Sequence, residues 1–136
     1  MSETVSSGAT STGISVTEVW SIYGTAVSFT VSNGGQEIVY SGGTASFTTV
    51  SSGGHEILSG GTTVSTTVDP GGDQIVYSGG TASYTTLSGA AFSGGIEYVS
   101  SGGRAISTTV GRNAEQILYA DATVRARTNE TPRWYA

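Results

Sequence analysis

The chain has no cysteine and no lysine, two prolines and a single histidine, His55. Without cysteine there is no disulfide framework and no thiolate zinc site. One histidine alone leaves a transition metal short of ligands, so neither a metal nor any other cofactor is expected. Charged residues are only 11% of 136, under half the usual globular share. What charge exists is lopsided: residues 1–103 hold seven acids and no base, and residues 104–136 hold five arginines and three acids. With a net charge of −5, the chain lacks the basic footprint of a nucleic-acid binder. No apolar run is long enough to cross a bilayer, so direct membrane insertion is not expected. Residues 1–13 show neither the basic nor the apolar region of a signal peptide, and export is expected to depend on a signal elsewhere.

Serine, threonine and glycine fill the space, 21 residues each and 63 of 136 together. Such a composition belongs to a flexible tract or to a repeat protein with a narrow core. Periodicity decides for the second. SGGTASFTTV at Ser41–Val50 recurs as SGGTTVSTTV from Ser59, SGGTASYTTL from Ser78 and SGGRAISTTV from Ser101. A degenerate copy starts at Ile22 and a remnant at Ala120, so the units are spaced 18, 19 or 23 residues apart. The second half of each unit reads SNGGQEIVY, SSGGHEIL, DPGGDQIVY, SGGIEYVS and GRNAEQILY. Glycine pairs suit tight corners, and the β-branched and aromatic residues between them suit a pleated surface. The fold class is therefore all-β: a β-solenoid, or parallel β-helix, of about six 19-residue coils with two short strands per coil and Gly-Gly corners. It forms a single domain over residues 1–136. An atypical coil spans 7–21, regular coils span 22–119, and a degenerate coil and tail span 120–136.

Columns read down the repeat predict the interior. Val31, Val50, Val68, Leu87 and Val110 form one apolar column, and Ile38, Ile57, Ile75, Tyr98 and Ile117 form another. Ala26, Ala45, Thr63, Ala82 and Ala105 form a thin-walled small-residue column. Neighbours in a strand face opposite ways, so burying the Ile38 column turns Val39, Leu58, Val76, Val99 and Leu118 outward. That second column is then a surface ladder or a contact strip for another rod. On the same reading the Glu37, Glu56, Gln74, Glu97, Gln116 column is a solvated face. Asp is expected to unfold the rod at Val68 or Ile75 and to be tolerated at Glu56 or Gln74.

Little in the chain suggests catalysis, and none is expected. His55 sits in a variable column with Gln36, Asp73, Ile96 and Glu115, and nothing places an activated serine beside it. No phosphate-loop or calcium-nonapeptide pattern occurs. The threonines are more regular. Thr25, Thr44, Thr62 and Thr81 make a candidate surface ladder, which is a structural β-branched column, a sugar-contacting face or an ice-binding face. In the adjacent Thr-Thr pairs one residue must point inward. Trp20 and Trp134 are candidate end caps, an apolar lid and part of an Arg-rich aromatic tail respectively, because terminal coils expose unpaired strand edges.

SGGTASFTTVSSGGHEIL and SGGTTVSTTVDPGGDQIVY resemble the AIDA-type strand-loop-strand repeat of bacterial autotransporter passenger domains, over roughly residues 22–119. The resemblance implies a right-handed β-solenoid at the bacterial cell surface or secreted, serving adhesion and self-association. Its implied partners are itself or neighbouring rods, a host-cell or glycan surface, and a protein heptosyltransferase. The implied acceptors are the serines that open the SGG corners, Ser41, Ser59, Ser78 and Ser101. The alternative function is an ice- or carbohydrate-binding solenoid that uses the threonine ladders.

Overall fold

The computed structural model describes residues 2–129, which form a parallel β-solenoid of seven coils. Each coil contributes one strand to each of three seven-stranded sheets, and there is no helix among the described residues. A central coil shows the plan: His55–Ser59 lies in the first sheet, Thr62–Val64 in the second and Thr67–Val68 in the third. Coils stack in register, with Thr44 beside Thr62, Thr62 beside Thr81, and Thr81 beside Arg104 after the longer unit. The seventh coil comes from the N-terminus, where Ser2–Val5 pairs with Val19–Ile22, a strand the repeat pattern does not reveal.

The fold class stands, but each coil has three strands and not two. Past the first coil, where Gly13 holds it at φ 70°, the extra corner carries no glycine. It falls at Ser28, Phe47, Ser65, Tyr84, Ser107 and Ala126, all left-handed with φ between 55° and 61°. A non-glycine residue in that region costs about 1 kcal/mol or more. The strain is offset because the rotated N–H bonds to the next coil: Phe47 N to Val64 O at 2.9 Å, Ser65 N to Ser83 O at 2.9 Å, Tyr84 N to Ile106 O at 2.8 Å. Corners are thus laddered along the axis as the strands are.

The glycine pairs divide their work. Gly42, Gly53, Gly71, Gly79 and Gly102 hold positive φ. Their successors, such as Gly43 and Gly54, have ordinary φ but lie against the backbone of the preceding coil, where a Cβ would meet Ile22 O or Val31 O at 2.2 Å. The longer unit leaves the rod as a small hairpin, with Gly89 bridged to Gly94. The Asn113 amide holds it by donating to Ala90 O at 2.8 Å and Ala91 O at 3.0 Å, and Phe92 at its tip is 99% exposed.

The Val50, Val68, Leu87 column and the Ala45, Thr63, Ala82 column are buried as expected. The first sheet is reversed relative to expectation. Val39, Leu58, Val76 and Val99 are fully buried, and Ile38, Ile57, Ile75, Tyr98 and Ile117 are half-buried on the outside. The same alternation turns Glu37, Glu56, Gln74 and Glu97 into the interior, so the expected solvated face does not exist. Sheet alternation ties these columns together: with Val39 inside, Glu37 must follow it.

Candidate functional surface

Ser41, Ser78 and Ser101 lie on the corner between the first and second sheets, and Ser59, also exposed, ends the strand His55–Ser59 in register with Tyr40 because its corner is one residue shorter. Glycine at the next position turns the chain there by adopting positive φ at residues 42, 60, 79 and 102. The Ser41, Ser78 and Ser101 hydroxyls are therefore carried on a turn, whereas Ser59 is the last residue of its strand. Ser52 and Ser93 also open Ser-Gly-Gly and are exposed, but they sit on the other glycine corner. Immediately before the first corner runs a mixed column of Tyr23, Tyr40, Ser59, Tyr77, Ser100 and Tyr119. Within it Tyr23 and Tyr40 stack in parallel with centroids 4.7 Å apart.

The outer face of the first sheet is the broadest apolar strip. Ile38, Ile57, Ile75, Tyr98 and Ile117 stand in register along it. One edge carries Gln36, His55, Asp73, Ile96 and Glu115, where His55 Nδ1 lies 3.1 Å from Asp73 Oδ2. Among the described residues no three His, Cys, Asp or Glu side chains gather to hold a metal ion. Thr25, Thr44, Thr62 and Thr81 do form a half-buried file on the second sheet, interrupted at Arg104. Two positions along in each strand the outward residues are Val27, Ser46, Val64 and Ser83, so the threonine file has no threonine file beside it.

Inside runs a polar file that the sequence reading placed outside. Thr48 Oγ1 donates to Glu37 at 3.1 Å, Thr66 to Glu56 at 3.3 Å, Thr85 to Gln74 at 3.0 Å and Thr108 to Glu97 at 3.2 Å. Gln74 Nε2 donates to Glu56 at 2.7 Å, and Gln116 Nε2 to Glu97 at 2.6 Å. The inward member of each Thr-Thr pair is thus the partner of a buried acid or amide. Burial drives the Glu37 carboxyl well above its ordinary range, reinforced by the neighbouring Glu56. Burial pushes Glu56 up to about 7 against the lowering pull of Gln74 and Thr66. Burial also raises Glu97, against Gln116, Thr108 and the positive charge of Arg127.

Trp20 interrupts the file, occupying the inward column position before Glu37 and meeting Phe29 edge-on at 5.4 Å. The first coil stacks Glu3 upon it, so Trp20 is a plug in the second coil and not the expected lid on the terminal one. Phe29 in turn stands where later coils have Thr48 and Thr66. Trp134, the other candidate cap, lies outside the described residues.

The family described as the adhesin of the bacterial autotransporter system, probable stalk, matches residues 21–72. Among solved structures, the TibC-catalysed hyper-glycosylated fragment of TibA superposes with a TM-score of 0.84 at 39% identity, over 93% of this chain. Residues 21–72 thus match an AIDA-type stalk repeat. The chain spans 46% of the TibA fragment's length, a little under half. No curated protein matches the chain in sequence. The solenoid with its period near 19 residues is common to the rod and the TibA fragment. In this chain an exposed SGG serine opens each of the four units that start at Ser41, Ser59, Ser78 and Ser101.

Proposed function

We propose that this chain is a non-enzymatic, adhesive stalk module of a bacterial surface or secreted passenger. We propose further that its corner serines are O-glycosylated by a protein heptosyltransferase. The observation that carries the reading is the exposure of Ser41, Ser59, Ser78 and Ser101 at successive corners, each followed by a glycine at positive φ. A transferase reaches an acceptor best where the backbone turns away from its sheet, and coil stacking repeats that geometry about every 4.8 Å. The glycosylated state of the TibA fragment, which shares the fold at 39% identity, supports the same assignment. The half-buried Ile38–Ile57–Ile75–Tyr98–Ile117 strip supports lateral association with a second rod, since contiguous apolar strips mark interfaces.

Co-expression with TibC, followed by intact-mass measurement, tests the modification. The expected result is a ladder of added masses, each a multiple of one sugar unit. Changing Ser41, Ser59, Ser78 and Ser101 together to Ala should shorten that ladder. An unmodified mass in the parent, or an unchanged ladder in the variant, would overturn the acceptor assignment. Association has its own check by sedimentation and by aggregation of cells displaying the rod. Ile57→Glu with Ile75→Glu should leave a folded rod that no longer self-associates.

A further inference from the structure

The interior file alternates acid and amide along most of its length, with Glu56 against Gln74, Gln74 against Glu97, and Glu97 against Gln116. One step breaks that rule. Glu37 stands in register against Glu56, and both side chains are fully buried. Stacked coils bring such partners to about 4.8 Å. The groups facing them contain no cation. Trp20 lies on the preceding coil, Gln74 on the following one, Ala45 and Thr63 on the second sheet, and Thr48 and Thr66 by the third. Two ionised carboxylates cannot coexist there, because neither water nor a positive charge offsets their repulsion.

The hydrogen bonds show where a proton would sit. Glu56 already accepts on both oxygens, at Oε1 from Thr66 and at Oε2 from Gln74. Glu37 accepts from Thr48 at Oε2 only, and its Oε1 is buried with no partner. A proton on Glu37 Oε1 satisfies that oxygen and gives it a donor directed at the neighbouring carboxylate. We propose that Glu37 and Glu56 form a proton-binding dyad inside the rod, holding one shared proton at neutral pH and making coil cohesion stronger in acid than in alkali.

The direction follows from linkage. Both carboxyls titrate higher when folded than when unfolded, so the stability they contribute is fully present below the unfolded value near 4.5. It is lost as pH rises through about 7, where Glu56 titrates, and further as Glu37 follows. On release the proton passes to solvent and leaves two buried anions. The pair titrates as a unit.

The experiment is thermal unfolding of the full chain between pH 5 and pH 9. The parent melting temperature should fall by about 10 °C across that range. Glu37→Gln, which extends the acid–amide alternation, should flatten most of the slope and melt above the parent at pH 9. His55→Gln is the control, since histidine ordinarily changes charge near neutrality; it should keep the slope. A parent curve that is flat or rises with pH overturns the dyad, as does a Glu37→Gln variant with the parent slope or a His55→Gln variant without it. Should Glu37→Gln fail to fold, infrared spectroscopy of the parent at pH 7 decides. The carbonyl stretch of a protonated carboxylic acid must be present, and its absence sinks the proposal.

Discussion

Val76→Asp should abolish folding, and Ile75→Asp, one residue earlier, should leave the rod intact. Val76 is fully buried against Leu58 and Val99 in the neighbouring coils. A carboxylate there has no cation and no water, and an unpaired buried charge costs several kcal/mol. Domains of this size hold about 5–15 kcal/mol in all, and a solenoid coil can recruit support only from its two neighbours. Ile75 faces outward between Ile57 and Tyr98. Its replacement forfeits cross-strand packing worth about 1 kcal/mol and leaves the new charge partly in water. Circular dichroism and size-exclusion chromatography of the two variants distinguish the outcomes. Equal melting of the pair would mean that the alternation of the first sheet has been misassigned.

The second large effect should come from a single methyl group. Gly54→Ala places its Cβ 2.2 Å from Val31 O and 2.6 Å from Val31 C. That carbonyl cannot retreat, because it accepts from Ser51 N at 2.8 Å in the ladder between the two coils. The coils must separate locally, at a cost of about 3 kcal/mol or more. Gly53→Ala is the matched comparison. It adopts φ +79° with its nearest neighbours at 3.4 Å, so it should cost only the left-handed penalty of about 1–2 kcal/mol. Denaturant midpoints of the two variants test the division of labour within a glycine pair. A larger loss at Gly53 would refute it.

The architecture was legible in the sequence because a solenoid repeats its own mistakes and successes. Four spaced copies of SGG with TTV or TTL, and a degenerate copy on either side, revealed the period and the glycine corners, and the Val50 column and the small-residue column followed. Two things were hidden. In the regular coils the third corner lacks glycine, since inter-coil hydrogen bonds hold Phe47, Ser65 and Tyr84 at positive φ, so TASFTTV reads as one strand. The phase of the first sheet was inverted because burying Ile looks better than burying Glu when a strand is weighed alone. The missing information lay in another strand: Thr48, Thr66, Thr85 and Thr108 supply the donors that make interior acids and amides tolerable. One clue was available. The Ile38 column accepts Tyr98, whereas the Val39 column holds nearly constant volume, as a closed interior requires. The exposure of Ser41, Ser78 and Ser101 on turns was readable from the glycine pair that follows each.

Every hydrogen bond that joins coils runs parallel to the long axis, and each coil bonds only to the coil on either side. Tension applied through the two chain ends therefore falls on a terminal coil first, and on its neighbour only after that coil has left. Each regular coil paid out releases 18 or 19 residues (23 for the longer unit), about 60 Å or more of extended chain, in place of a layer about 4.8 Å thick. A stalk of this kind yields under load by unreeling in nearly equal steps. The unstretched remainder keeps its outer faces and its row of serines unchanged.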